Sequence, residues 1–211
     1  MPDVMSLAGD ERRDLADFLA TLTPEQWERR SLCADWTVRE VVVHVVSYEE
    51  LGPRGTVARL VRGRFSLDRT NPIGVRAGAD ASPAEVLDHL REHLRPRGIT
   101  AAFRGRIALT DGLIHHQDIR RALDLPREVP AERLLVTLPF ALRALALPSR
   151  RDARGLRLVA TDLDWTHGKG PEVRGTGEAL LMAIAGRRAA LTDLDGPGAP
   201  LLARRVAARL A

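Results

Sequence analysis

The chain has 211 residues, of which 45% are hydrophobic and 28% charged, as in a globular domain, alone or with a small appendage. No apolar run approaches 18 residues, and no basic region followed by an apolar stretch opens the chain, so we expect neither a membrane span nor a signal peptide. The single cysteine, Cys33, excludes an internal disulfide and fits a reducing, cytoplasmic setting.

The positive charge comes almost entirely from arginine. The net charge is +4, and Lys169 is the only lysine. The arginines are scattered, whereas nucleic-acid-binding proteins more often carry a basic stripe with interleaved aromatic residues. We therefore expect no nucleic-acid partner. A nucleic-acid-binding or regulatory protein remains an alternative hypothesis, which salt-dependent DNA binding would support.

Helical patterns dominate the chain up to about residue 147. A first amphipathic helix ends before Thr23-Pro24. Thr37 and Glu40 form a capping box that opens the helix VVVHVVSYEEL, which ends at Gly52-Pro53. After it, TVARLVRGRF predicts a short helix, and we expect a long loop over 66–81, rich in Gly, Asp, Asn and Arg.

Three further helices are predicted before the character of the chain changes near Pro148. Ser82 and Glu85 form a second capping box, and helical patterns cover roughly 100–123 and 129–147. After Pro148 the sequence predicts two or three short strands, a helix in GTGEALLMAIAGR, then a short strand, a turn and a terminal helix. We therefore predict a helical bundle over 1–147 and a small α/β domain over 148–211.

The stretch TDGLIHHQDIRRAL places polar residues on one helical face. Asp111 and His115 are four residues apart, and Asp118 follows three residues later, so all three lie on one side of a helix. This spacing is typical of metal ligands supplied by a single helix. His44, on the apolar face of the helix after Thr37, is the best candidate for a third ligand, because ligands in a bundle converge from facing helices.

A structural interpretation of the same residues is also open. A histidine on an apolar face is more often a hydrogen-bonded core residue than a ligand, and Asp111 could pair with an arginine instead. His89 and His93 are also four residues apart, but charged neighbours surround them, so we expect them on a solvated or partly exposed surface.

Several motifs, in this order, resemble the mycothiol-dependent maleylpyruvate isomerase family. SLCADWTVREVVVHV is similar to its first motif, in which Cys-x-x-Trp-Thr-Val leads into a helix with a metal-binding histidine. Its second motif, Glu-x-x-x-His followed by Asp, matches TDGLIHHQD with Asp111 in place of the glutamate. A Trp-Thr turn, the helix EALLMAIAGR and an Asp-Gly-x-Gly segment match the tail, so the resemblance extends from about Trp27 to the C-terminus.

The resemblance implies an α+β fold, with a DinB-like four-helix bundle followed by a small C-terminal α/β domain. It implies that His44, Asp111 and His115 hold a divalent metal, zinc in the type enzyme, and that the low-molecular-weight thiol mycothiol is the co-substrate. Arg187, in the Gly-Arg motif, would bind an anionic group of the thiol or substrate. The implied activity is isomerisation or S-transfer on a small electrophilic metabolite, by a monomer or homodimer.

One departure from the family pattern affects this expectation. Asp111 is one methylene shorter than glutamate, so its carboxylate reaches less far by ~1.5 Å. Gly112 follows, at a cost in helix propensity of ~1 kcal/mol relative to Ala. The alternative hypothesis is therefore a non-catalytic protein that binds or sequesters a small molecule on the same bundle, with a degenerate metal site. Metal content would separate the two hypotheses.

Overall fold

The computed structural model describes residues 3–33 and 36–209. The chain divides into two compact units between Arg127 and Glu128. Within the described residues, every helix is too short or too polar to cross a bilayer. Ala34 and Asp35, which belong to the first family motif, lie outside the described residues.

Seven α-helices build the N-terminal unit. They are α1 (Val4–Leu19), α2 (Pro24–Trp27), α3 (Val38–Val46), α4 (Pro53–Arg62), α5 (Leu67–Ala77), α6 (Pro83–Glu92) and α7 (Arg106–Leu123). A 3₁₀ segment, Gly98–Gly105, leads into α7.

Four of these helices form the predicted bundle. Helix α1 packs on α7 and α6, and α3 packs on the same two helices, so the four enclose a common core. Valines on α3 and leucines on α1, α6 and α7 fill this core because each helix directs an apolar face inward. The shared core fixes the spacing between α3 and α7, the helices that carry the candidate ligands.

Both predicted capping boxes are confirmed. The Thr37 hydroxyl accepts from the backbone N–H of Glu40 at 3.3 Å, and the Glu40 carboxylate accepts from the backbone N–H of Thr37 at 2.8 Å. Ser82 and Glu85 repeat the arrangement at the start of α6. Because these bonds satisfy N–H groups that a helix end leaves without partners, they fix where α3 and α6 begin.

The expectation of a long loop over 66–81 was wrong. Most of that segment is helix α5, with Pro72 inside it. Thr70 and Val75 are buried, and α5 packs against α3. Packing of this apolar side against α3 outweighs the turn-forming composition from which the loop was predicted.

Helix α7 begins later than the sequence pattern predicts. Phe103, Arg104 and Gly105 have φ angles of 54°, 61° and 86°, in the left-handed region. A continuous α-helix cannot pass through such residues, so α7 starts at Arg106. The segment with the candidate ligands, residues 111–118, lies well inside the regular helix.

The C-terminal unit combines short helices with a small sheet. Its helices are α8 (Ala131–Ala141), α9 (Ser149–Asp152), α10 (Gly177–Ile184) and α11 (Ala199–Ala207), and its strands are β1 (Arg157–Ala160), β2 (Thr166–Gly168) and β3 (Glu172–Gly175). The strand order is β2-β1-β3, antiparallel between β1 and β2 and parallel between β1 and β3. Leu158 pairs with His167 on one side and Val173 on the other.

Helix α10 is the centre of this unit. All of its residues but Glu178 are buried, and it packs on α8, β1 and β3. Because α8 packs on α10, the division between the units falls before α8, and not at the expected position after residue 147. The strand expected after Arg188 is instead a 3₁₀ turn, Arg188–Asp193, followed by a single bridge from Asp195 to Arg174.

The fold class is therefore α+β, as the sequence predicted. A four-helix bundle with additional short helices forms one unit, and a three-stranded sheet with helices forms the other.

Candidate metal centre

The structure brings His44, Asp111 and His115 together between α3 and α7. Asp111 Oδ1 lies 3.6 Å from His44 Nε2 and 3.4 Å from His115 Nε2. The two imidazole rings are 4.9 Å apart between centroids and nearly perpendicular. One ligand atom from each residue lies within 4.8 Å of the other two. The three side chains are thus close together, and their role as metal ligands stays a prediction.

Asp118 orients His115 from the opposite side. His115 Nδ1 lies 3.0 Å from Asp118 Oδ2, and the Asp118 side chain is fully buried. A carboxylate accepts a hydrogen bond from Nδ1–H, so Nε2 of the neutral ring keeps its lone pair and points at Asp111. Carboxylate–histidine pairs of this kind fix the tautomer and ring orientation of metal-binding histidines.

Electrostatics differ among the three residues. Burial lowers the pKa of His44, which the charge of Asp111 only partly offsets. Burial disfavours ionised Asp111, but the charges of His115 and His44 hold the pKa of its carboxyl well below the usual range. Burial also disfavours protonated His115, yet Asp111, Cys33 and Asp118 raise its pKa well above the usual value. Binding of a cation at His115 Nε2 would compete with protonation of the same nitrogen.

His44 is enclosed by aromatic residues and has one unsatisfied nitrogen. It is buried, and its Nδ1 makes no hydrogen bond to any described residue. The ring lies 5.1 Å from Trp36 and 6.4 Å from Tyr48 between centroids. A buried imidazole nitrogen without a partner is costly, whereas His44 Nε2, on the other side of the ring, faces Asp111.

The donor set fits a divalent transition metal. Two neutral imidazoles and a carboxylate match the three protein ligands of catalytic zinc sites, which keep a further position for water or substrate. The Asp111 side chain is 38% exposed, so the cluster is open on that side. The separations of 3.4 and 3.6 Å suit ligand atoms around one ion, because each bond to zinc is only about 2.0–2.2 Å long.

Cys33 lies beside this cluster. The backbone N–H of Leu32 donates to the Asp118 carbonyl at 3.1 Å, which holds the loop before α3 against α7. Cys33 Sγ consequently lies within 4.8 Å of ligand atoms of His115 and Asp118. No local pattern in the sequence indicates this position of Cys33, because the loop contact joins distant parts of the chain.

Tyr48, Asn71, Arg59 and Ser47, which the sequence analysis did not single out, form a group of polar contacts next to His44. Tyr48 donates to Asn71 Oδ1 at 2.8 Å, and the Arg59 guanidinium lies 4.6 Å above the Tyr48 ring. Arg59 also donates to Ser47 Oγ at 3.0 Å. Burial raises the pKa of the Tyr48 phenol. No spacing in the sequence indicates these contacts, because Arg59 and Asn71 come from α4 and from the segment expected to be a loop.

His116 takes no part in the cluster, because it is displaced from His115 by about 100° around α7. Arg120 Nε donates to His116 Nε2 at 2.9 Å, and His116 Nδ1 lies 2.9 Å from Glu11 Oε1. Burial lowers the pKa of His116 to about 4, so it is neutral near pH 7.

Arg187 lies in the C-terminal unit, between α10 and the 3₁₀ turn. Its Nη1 donates to the carbonyl of Ala185 at 2.9 Å. This contact is the helix-end role that a cation commonly takes. A role of Arg187 in binding an anion remains a prediction.

The fold and site define a class of protein: a helical bundle with a His₂Asp cluster between two of its helices, joined to a small α+β unit. Residues 8–98 match the family model described as "Mycothiol maleylpyruvate isomerase N-terminal domain". The match covers the N-terminal part of the chain, which is therefore similar to that domain. The comparison with functionally curated proteins gives no match.

Two solved structures share the fold over most of the chain. One is the crystal structure of the mycothiol-dependent maleylpyruvate isomerase, 13% identical, with a TM-score of 0.55 and 94% of each chain covered. The other is a histidine-to-alanine mutant of that name, also 13% identical, with a TM-score of 0.53 and the same coverage. At this identity the likeness concerns the fold.

Proposed function

We propose that the chain is a metal-dependent isomerase or S-transferase that uses mycothiol and acts on a small electrophilic metabolite in the cytoplasm. The observation that carries this proposal is the convergence of His44 Nε2 and His115 Nε2 on Asp111 Oδ1, with Asp118 behind His115. The match of residues 8–98 to the family model and the shared fold support mycothiol as the thiol. We propose zinc as the cation, since it suits imidazole and carboxylate ligands.

The residues of the chain would have distinct roles in this reaction. His44, Asp111 and His115 would hold a divalent cation, which would lower the pKa of a bound thiol and so make thiolate available near neutral pH. Asp118 keeps the His115 ring in the orientation that coordination requires. The half-buried rings of Trp36 and Tyr48 flank His44 and would limit the access of water to it. Arg187 would bind a carboxylate of the thiol or substrate through two parallel hydrogen bonds.

Two reactions follow from the same thiolate. Addition to an activated C=C bond gives a single bond that rotates, and departure of the thiolate then restores the double bond in the other configuration. Displacement of a leaving group instead forms a C–S bond and gives S-transfer. Incubation with maleylpyruvate and with alkyl halides, each with and without mycothiol, distinguishes the reactions by their products.

The experiment that tests the site is elemental analysis of protein purified without an affinity metal column. We expect close to one equivalent of cation at this site after zinc addition and dialysis, and its loss in His44→Ala and His115→Ala. His167→Ala, an exposed histidine on β2, is the matched control and should keep the metal. Asp118→Asn should weaken affinity by about 10–100-fold, because it removes only the partner that orients His115.

Two outcomes would contradict the proposal. A metal content that is unchanged by both histidine substitutions would place the ion elsewhere. A chain that binds no metal but retains a small molecule would favour the alternative, a binding or sequestering protein on the same bundle. The shorter carboxylate of Asp111 is the feature that keeps this alternative open.

A further inference from the structure

A second histidine pair lies at the C-terminal end of α6. The sequence placed His89 and His93 on a solvated or partly exposed surface, but His93 is buried and His89 is half-buried. Their rings are 4.4 Å apart between centroids. Together with Glu50, which follows α3, they offer one ligand atom each, all within 4.8 Å of one another. This group shares no residue with His44, Asp111 and His115.

The tautomer of His93 is fixed by the helix itself. His93 Nδ1 lies 2.9 Å from the carbonyl oxygen of His89. A carbonyl can only accept, so Nδ1 carries the hydrogen and Nε2 of the neutral ring keeps its lone pair. That Nε2 is directed towards Glu50, with Oε1 at 4.0 Å. The arrangement repeats the orientation of His115 by Asp118, with a backbone carbonyl in place of the carboxylate.

A buried ion pair holds the two sides of this group at a fixed distance. Arg12 Nη1 donates to the carbonyl of His93 at 2.6 Å, and Arg12 Nη2 pairs with Glu49 at 2.5 Å. Glu49 also accepts from the backbone N–H of Arg97 at 2.7 Å and from the Thr100 hydroxyl at 2.6 Å. The backbone next to Glu50 and the backbone of His93 are therefore tied to one guanidinium, so the group is organised without a cation.

We propose that Glu50, His89 and His93 form a second divalent cation site, of the class that takes zinc, cobalt or nickel. Two imidazoles and a carboxylate are the donors these ions prefer, and they distinguish the site from the all-oxygen sites of magnesium and calcium. Glu50 is 73% exposed, so its side chain can rotate to close the 4.0 Å gap to His93.

The open coordination positions of this site face a cavity. Glu50 and His89 line a space of about 290 Å³ together with residues of α3, α4, α5 and α6. Water or a small anionic ligand from this cavity would complete the coordination shell, as in zinc sites with three protein ligands.

The competing explanation is purely structural. His93 ends α6, and its contact with the His89 carbonyl would serve as a helix cap without any metal. The two explanations differ for Glu50 and His89, since a cap needs neither side chain.

The test titrates Co²⁺ and Zn²⁺ into the His44→Ala/His115→Ala double variant, in which only the second site remains. We expect one equivalent to bind, with the visible Co²⁺ spectrum of a nitrogen- and oxygen-ligated ion. Adding Glu50→Gln or His89→Ala should weaken binding at least tenfold. Glu92→Gln, an exposed acid on the same helix, and His167→Ala are controls that should leave binding unchanged.

A parallel measurement covers failure of the double variant to fold. The unsubstituted protein should bind two equivalents of the cation, and the Glu50→Gln/His89→Ala variant should bind one. The second site would be overturned if Glu50→Gln/His89→Ala left the stoichiometry of the protein unchanged. It would also be overturned if neither Glu50→Gln nor His89→Ala weakened binding in the His44→Ala/His115→Ala variant. Loss of the first equivalent alone would contradict the proposed function and leave this site standing.

Discussion

Glu11 on α1 and His116 on α7, 105 positions apart in the chain, are joined by a buried hydrogen bond of 2.9 Å. Arg120 donates to the other ring nitrogen, so His116 Nδ1 carries the hydrogen that Glu11 accepts. Arg127 Nη2 donates to the same Glu11 oxygen at 2.5 Å. This network, next in sequence to the candidate ligand His115, connects α7 to α1.

Removing the carboxylate of Glu11 should therefore destabilise the bundle strongly. Glu11→Ala leaves a buried imidazole N–H and the Arg127 guanidinium without this acceptor, and we expect a loss of roughly 3–5 kcal/mol in the free energy of unfolding. Chemical denaturation measures it. The control is Glu28→Ala, whose side chain is 57% exposed in its pair with Arg39 and should contribute less than about 1 kcal/mol. Equal losses for the two variants would show that the Glu11 network is not organised as described.

Two helical glycines should respond in opposite ways to alanine. A Cβ at Gly112 would have only Glu11 Cγ as a neighbour, at 3.8 Å, which is ordinary contact. Gly112→Ala should therefore stabilise the protein by roughly 0.5–1 kcal/mol through helix propensity. A Cβ at Gly74 would come within 2.6 Å of Arg59 Nη1 and 2.7 Å of Ser47 Oγ, so Gly74→Ala should lower the melting temperature. A rise for both variants would contradict the packing around Arg59.

The length and charge of residue 111 should be separable in metal titrations. Asp111→Glu restores the family residue, so we expect unchanged or tighter binding. Asp111→Asn keeps the shape but removes the negative charge beside both imidazoles, so the affinity should fall. Isothermal titration with zinc compares the three proteins. Equal affinities would place Asp111 outside the coordination shell.

The capping box of α6 should give a pH-dependent contribution to stability. Hydrogen bonds from the side chain and backbone of Ser82 lower the pKa of Glu85. Since the folded pKa lies below the unfolded one, the contribution is complete above the ordinary glutamate value of about 4.3 and is lost as the pH falls through the folded value. The stability difference between the parent and Ser82→Ala should thus shrink in acid. Urea denaturation at pH 7 and pH 3 checks this, and a difference that grows at pH 3 would contradict it.

Measurements of activity and of stability should distinguish two roles of Arg187. If it binds an anion, Arg187→Lys and Arg187→Ala should stay folded and metal-loaded while thiol-dependent turnover falls at least tenfold, or ~1.4 kcal/mol of transition-state stabilisation. If it only contacts the end of α10, turnover should be unchanged and the melting temperature should fall. Arg188→Ala, at the neighbouring position, is the matched control.

The sequence was most informative where local chemistry decides the outcome. The capping box at Thr37 sets the start of α3, and with it the inward direction of His44; the spacing of Asp111 and His115 places both on one face of α7. The order of the motifs in the chain then indicated the resemblance to the family whose model matches residues 8–98.

What the sequence could not supply depends on contacts between distant segments. Helix α5 was missed because its composition is polar and contains glycine, and packing on α3 is what stabilises the helix. The place of Arg59 above Tyr48 and of His93 in the interior also depends on other helices. No local pattern encodes the Arg12–Glu49 pair, which joins residues 37 positions apart.

Asp118 gives the site a mechanical link to the only thiol of the chain. Its carboxylate contacts His115 while its backbone carbonyl holds Leu32, the residue before Cys33. A chemical label on Cys33 that displaced the loop would thus disturb Asp118, which orients the imidazole of His115. Conversely, a His115 ring held in one orientation would restrain the loop that carries Cys33, through Asp118. Cys33 is in this sense a built-in reporter, whose accessibility to a thiol reagent records the order of the neighbouring cluster.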